Sequence, residues 1–264
     1  MEEKKKEIQN QIKITKIEVD QSQLIQFQKK KKIKICLLTY GNKDLFDIVF
    51  KFPNLLHLFI YVTNNNFIGG TAFTEIPKLK TLRITGFNNL DKYNINMITK
   101  NKSLENIEIE TNYNEILKNK KIKFLKVKKL SGILNVSTIK YLYVNELSNF
   151  KTTGECKHLQ DLEIRCDDNN FETIKNIINM ANKSLKRICI YICSPRIGIN
   201  YLLEKIININ TIKLKNCLRR KLDFDLNISN FTQLKNLKLH GFRLNSKIEN
   251  IDNLKLTICE VNFV

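Results

Sequence analysis

Two pairs of acids stand two residues apart, Glu108 with Glu110 and Asp161 with Glu163. Alternate carboxylates of this kind could share general acid and base duties if a cleft raised the pKa of one of them. Cys189 and Cys193, four apart, could offer two thiolates to a metal, with only His57, His158 and His240 to add imidazole. Neither pattern completes a centre. Each acid alternates with an aliphatic residue (Ile107, Ile109, Leu162, Ile164), the pattern of a strand's solvent face, where no cleft shifts a pKa. The cysteines lack a second pair at ligand spacing, so packing is their expected role. The chain carries no Gly-rich phosphate loop, no H-E-x-x-H and no G-x-S-x-G. The reading is a non-enzymatic protein with no metal and no cofactor.

What must position these residues is a recurring phrase: an aliphatic, two polar residues, an aliphatic, one polar and an aliphatic. Leu79-Lys80-Thr81-Leu82-Arg83-Ile84, Leu159-Gln160-Asp161-Leu162-Glu163-Ile164 and Leu234-Lys235-Asn236-Leu237-Lys238-Leu239 show it plainly. Leu, Ile and Val fill 77 of 264 positions, so the strict form should arise by chance about once or twice. It occurs seven times, from Ile14, Leu79, Leu104, Leu159, Ile209, Leu234 and Ile251. Looser members start at Leu55, Ile122, Ile139 and Leu185, and another unit sits near Ile33–Ile35, which makes about twelve units. From Leu55 they advance by 24, 25, 18, 17, 20, 26, 24, 25 and 17 residues. Asn101-Lys102-Ser103-Leu104 returns 81 residues later as Asn182-Lys183-Ser184-Leu185, three phases of about 27.

Over nearly its whole length the chain resembles the leucine-rich repeat family, in the signature L-x-x-L-x-L-x-x-N/C. Asn112, Cys193, Cys217 and Cys259 fill the final slot, while Phe87, Phe242, Asp167 and Thr63 depart from it. The stretch Ile68 to Leu79 is similar to the BspA-like subtype, and the cysteine-bearing units to the cysteine-containing one. The resemblance implies an α/β fold, a horseshoe or arc with a parallel concave sheet and irregular convex helices. It also implies binding rather than catalysis, in the manner of an adaptor or substrate-recognition module.

Strand geometry then assigns directions. Offsets 3 and 5 of each phrase point into the solenoid, offsets 2, 4 and 6 face solvent, and the offset-0 residue turns inward. Three buried aliphatics per turn, at about 1.5–3 kcal/mol each, hold neighbouring turns together, and no turn is stable alone. The returns vary. Asp168 to Met180 carries an Asp/Asn cluster, then Phe171, Ile174, Ile177 and Ile178 on one face, which predicts a convex helix. Pro195 to Asn208 reads likewise, and Lys43 to Phe52 and Leu90 to Lys100 are shorter candidates. Steps of 17 or 18 residues, as after Ile122 and Leu234, leave room only for a turn or an extended return.

The expected organisation is a charged, frayed start at 1–10 followed by one solenoid at 11–264, with no internal linker among 3 Pro and 8 Gly. The first residues lack the apolar core of a secretory signal, and no run of 18 apolar residues could cross a membrane. These features predict a cytoplasmic protein, with a nuclear address in the lysine-rich runs 29–32 and 118–123 as the alternative. The seven cysteines are then free thiols, and the five Asn-x-Ser/Thr sequons at Asn101, Asn135, Asn182, Asn227 and Asn230 carry no weight. Net charge is +19, but Lys, Asn and Ile make up 109 residues and Lys outnumbers Arg by 38 to 7, the mark of AT-rich codons rather than of phosphate recognition.

Function is therefore sought on the concave face. The phase places His57, Phe59 and Tyr61 there in the early units, then Glu108 and Glu110, Tyr141 and Tyr143, Asp161 and Glu163. Arg187, Tyr191, Lys213, Lys215, Lys238 and Lys255 follow. Exposed tyrosines beside segregated charge suit a protein partner. Cross-strand shielding is the alternative role of the aromatics. The competing functions are an anion binder for nucleic acid or anionic lipid, using the basic C-terminal third, and a fragment of a larger F-box-type or receptor protein.

Overall fold

The computed structural model describes residues 16–17, 35–40, 54–62, 76–86, 101–113, 121–220, 222, 225–243, 247–249 and 256–263. The chain divides into two units, Met1–Asn112 and Tyr113–Val264. In the first, β1 (Lys16–Ile17), β2 (Ile35–Tyr40), β3 (His57–Val62), β4 (Thr81–Thr85) and β5 (Asn106–Tyr113) pair in chain order, each parallel to the one before. The second contains β6 (Phe124–Asn135), β7 (Tyr141–Thr153), β8 (Asp161–Cys166), β9 (Arg187–Ile192) and β10 (Thr211–Asn216). They are followed by β11 (Asp225–Asn227), β12 (Asn236–Phe242), β13 (Lys247–Glu249) and β14 (Ile258–Phe263). β11 and β13 pair only with each other, and the remaining strands form a parallel sheet in chain order. This is the architecture of a leucine-rich repeat solenoid.

The phrase dictates it. In the nine units from Leu55 to Leu234 all three aliphatics are buried, none more than 3 % exposed, so the predicted phase is the structural one. Register stacks like on like: Leu58, Leu82 and Ile107 stand side by side in the first unit. Leu125, Leu142, Leu162, Ile188, Ile212 and Leu237 do so in the second. A polar ladder runs beside this apolar stack. Ser103 Oγ donates to the Leu79 carbonyl and Ser184 Oγ to the Leu159 carbonyl, both at 2.8 Å, and Thr138 Oγ1 to the Ile122 carbonyl at 2.9 Å. Each hydroxyl sits one residue before its own phrase and satisfies the first carbonyl of the previous one, which a buried turn cannot leave unpaired. That is why the Asn-Lys-Ser-Leu echo exists.

Returns follow their composition. The helix α1 (Phe171–Met180) buries Ile174, Ile177 and Ile178. Its Asp/Asn cluster acts on the turn before it: Asp167 Oδ1 accepts from the backbone of Asn169 and Asn170, and the buried Asn170 side chain bonds back to Asp167 and Arg165. The second helix, α2 (Ile199–Leu203), is shorter than Pro195 to Asn208, but Ile199, Leu202, Leu203 and Ile206 are buried as expected. The 17-residue step after Ile122 is filled by an extended return, because β6 and β7 run on together past a register shift at Ser131/Gly132. Gly132 makes that shift at φ 83°, a conformation open to glycine at little cost.

Two phases differ from the sequence reading. β12 pairs Leu237 with Cys259 and Leu239 with Val261, so the last triplet is Leu256, Cys259 and Val261 and its unit starts at Leu256, not Ile251. A cysteine in an aliphatic position hid it, and Cys259 is thus a strand residue rather than a slot residue. β1 sets Ile17 against Leu38, two residues from the register that a phrase at Ile14 requires. The slot residues Cys193 and Cys217 are half-buried and exposed, so they do not form a buried ladder. The helix candidates at 43–52 and 90–100, the charged start, the run at 29–32 and Lys255 lie outside the described residues.

Candidate functional site

Alternation along the strands leaves one side chain in two on the open side of the sheet, and register arranges these in rows across it. In the second unit one row reads Phe124, Tyr141, Asp161, Arg187, Thr211 and Asn236. The next reads Lys126, Tyr143, Glu163, Cys189, Lys213, Lys238 and Glu260, and a third sets Arg165, Tyr191, Lys215 and His240 together. The predicted second-unit residues Tyr141, Tyr143, Asp161, Glu163, Arg187, Tyr191, Lys213, Lys215 and Lys238 all fall in these rows.

Five of them are bonded to one another. Tyr143 Oη donates to Asp161 Oδ2 at 3.0 Å, and Arg187 Nη1 holds both Asp161 oxygens at 3.1 and 2.8 Å. Arg187 Nη2 reaches Glu163 Oε2 at 3.3 Å, and Tyr191 Oη donates to Glu163 Oε1 at 3.0 Å. Phe124 closes one end against Tyr141 and Tyr143, with centroids 6.2 and 5.4 Å apart. At the other end Lys215 Nζ lies 5.7 Å over the Tyr191 ring.

Electrostatics follow the bonding. Burial first, then the Asp161 carboxylate, pushes Tyr143 up to about 12. Tyr191 is raised as well, by burial and by its neighbours Cys189 and Glu163. Desolvation would lower Arg187, but its bonds to Asp161 outweigh it and raise the guanidinium. Both tyrosines therefore stay neutral donors, and Arg187 stays charged between two acids. The paired carboxylates noted in the sequence are engaged as acceptors here, not poised as an acid and a base.

Sequence reasoning passed over Cys189. It stands in the open-side row between Glu163 and Lys213, yet it is fully buried between Arg187 and Tyr191, and burial pushes its thiol up to about 11. The alternation Arg187-Cys189-Tyr191 held the signal: a small apolar residue floors a polar cluster. Phe124, Lys126 and Arg165 were also readable from the same phase.

In the first unit His57 stands beside Thr81 and Phe59 beside Arg83, with Arg83 Nε 3.2 Å from Glu108 Oε2 on the next strand. Burial and then Lys80 lower His57 below its ordinary value. Tyr61 is 55 % exposed, the largest value among the predicted aromatics. Glu110 lies on β5, its side chain outside the described ones. At the far strand of the second unit Lys238 Nζ bonds Glu260 Oε1 at 2.9 Å, which holds Glu260 below the usual carboxylate range.

Among the described residues no group of three or more His, Cys, Asp and Glu is placed to hold a metal, and no helix is long and apolar enough to cross a membrane. No family profile matches this chain, and no curated protein matches it. Among solved structures it is similar to the leucine-rich repeat domain of APL1B, at 13 % identity over 93 % of this chain and 74 % of that one, with a TM-score of 0.49.

Proposed function

We propose that the chain is a non-enzymatic protein-interaction module, of adaptor or substrate-recognition type, that engages a partner on the open side of the sheet between Phe124 and His240. The observation that carries this reading is the chain of bonds from Tyr143 through Asp161, Arg187 and Glu163 to Tyr191. Binding normally costs about 0.5–1.5 kcal/mol for each flexible side chain it immobilises, and these five are already fixed. Tyrosine and arginine are also the side chains that contribute most at interface centres. Tyr141 at 37 % exposure and the exposed Lys126 and Lys215 flank the ordered cluster as a wetter rim. The six described cysteines are free, which fits a cytoplasmic or nuclear setting.

Cross-linking mass spectrometry in native lysate tests it. Wild type should cross-link to a defined protein through Lys126, Lys213 or Lys215, and Tyr141→Ala with Arg187→Ala should lose those links while retaining the wild-type circular-dichroism spectrum. Links confined to α1 and α2, or an unchanged set in the variant, would contradict the proposal.

A second reading, binding of nucleic acid or anionic lipid, draws on the placement of arginine. Arg165, Arg196, Arg219, Arg220 and Arg243, five of seven in the chain, lie at or just past the C-terminal ends of β8, β9, β10 and β12. Arginine is the better bidentate phosphate ligand. Affinity for a polyanion that falls steeply between about 50 and 200 mM salt, and is abolished by Lys213→Glu with Lys238→Glu, would favour it. Salt-insensitive protein capture would favour the first.

A further inference from the structure

We propose that Cys193 and Cys217 are a peroxide-sensitive thiol pair, a modification site at which oxidation joins two neighbouring turns of the solenoid. They lie one residue beyond β9 and β10, whose register pairs Ile192 with Asn216. The backbone keeps them level there: Cys193 N–H donates to the Cys166 carbonyl at 2.8 Å and Cys217 N–H to the Ile192 carbonyl at 2.9 Å. Neighbouring strands run about 4.8 Å apart, and a disulfide needs its Cβ atoms about 3.5–4.5 Å apart, so a small shift closes the gap. The side chains lean the same way, Cys193 Sγ toward the Tyr191 carbonyl at 3.4 Å and Cys217 Sγ toward the Lys215 carbonyl at 3.9 Å, and the two thiols interact. Because both sit past the regular ladder, little pairing is lost by that shift.

Two further observations separate this pair from the other cysteines. Arg165 Nε lies 2.7 Å from Cys193 Sγ, a fixed positive charge where a thiolate would form. Burial of Cys193 opposes that charge, but Cys217 is exposed and within the field of the same guanidinium. Cys156, Cys166 and Cys189 are 0 % exposed, and burial pushes the first two up to about 12. They are shielded from oxidants. A metal is the poorer occupant, because the site offers two sulfurs and a cation rather than a third ligand.

The chemistry balances with hydrogen peroxide as the oxidant. The Cys217 thiolate attacks one peroxide oxygen, the O–O bond breaks, hydroxide leaves and a sulfenic acid remains. The Cys193 thiolate then attacks the Cys217 sulfur, the S–O bond breaks, and the departing hydroxide takes a proton to leave as water. Two thiols are oxidised and one peroxide is reduced to two waters. Arg165 loses its thiolate partner, and since it stands in register with Tyr191 and Lys215, the step alters the charge offered on the open side of the sheet.

The test uses the full chain, reduced and then treated with one equivalent of hydrogen peroxide. Non-reducing tryptic mapping should show the Cys193 peptide (188–196) joined to the Cys217 peptide (216–219), with fragments placing the bridge at Cys193, and dithiothreitol should reverse it. Arg165→Gln should slow bridging about tenfold, the effect of roughly one pKa unit, and Arg165→Lys should restore most of the rate. Separate sulfinic acids at the two cysteines, a bridge to Cys189 or Cys259, or a link between two chains would overturn the proposal. An Arg165→Gln rate equal to wild type would overturn the part given to the guanidinium.

Discussion

Arg187 faces Asp161 directly across β8 and β9, and one guanidinium nitrogen contacts both carboxylate oxygens, at 3.1 and 2.8 Å. The same side chain reaches Glu163 with its other nitrogen. One cation thus allows two carboxylates on the same strand face to stay ionised side by side.

Replacing Arg187 with Met should leave Asp161 and Glu163 uncompensated and cost about 1–2 kcal/mol, a modest figure because the cluster is only half-buried. Urea denaturation of Arg187→Met, Asp161→Asn and the double variant reads the coupling. The double variant should recover part of the loss, and strictly additive effects would show that the pair contributes nothing.

Leu162 is 0 % exposed at the centre of the second unit's stack, between Leu142 and Ile188. Leu162→Ala should cost about 2–5 kcal/mol, and Leu162→Asp should unfold several turns together, because each turn is stabilised mainly by its neighbours. A circular-dichroism melt of Leu162→Asp that overlays wild type would reject the stacked-turn account.

Tyr143 is raised from 10.0 to about 12, so the folded state keeps its proton where the unfolded chain loses it. Linkage gives the sign: the contribution is complete below pH 10 and is lost as pH rises toward 12. Phenolate absorbance in an alkaline titration should show a late-ionising component that Tyr143→Phe removes. If all eight tyrosines titrate together near their ordinary value in folded protein, the network is not formed.

Ser103 and Ser184 make the same bond one phase apart in kind, each to the first carbonyl of the preceding phrase. Ser184→Ala should destabilise by about 1–2 kcal/mol, because it strands a carbonyl inside a turn, while Ser184→Thr, matching Thr138, should retain most of the stability. Equal losses for both substitutions would mean the hydroxyl is not what the position requires.

Much of the site was readable because strand alternation ties a residue's direction to its offset. Tyr143, Asp161, Glu163, Arg187 and Tyr191 were assigned to one face before any pairing was known. What could not be read was their mutual engagement, since Asp161 and Arg187 are 26 residues apart and meet only once the intervening return, with α1 in it, has set the register. The acids read as a segregated negative patch are held by that arginine instead. Lys255 was misassigned in phase for a related reason: Cys259 took an aliphatic position, and the apolar run Ile251, Leu254 and Leu256 matched the phrase five residues early.

By itself the sequence determined the architecture and the facing of each strand, because burial of an aliphatic triplet is periodic, local and insensitive to which polar residues lie between. Tertiary structure decided which charges meet, which cysteine is sealed beneath the cluster and which two stay accessible. Those outcomes depend on register between strands some twenty-five residues apart, and register is set jointly by the length and form of every return that the chain makes.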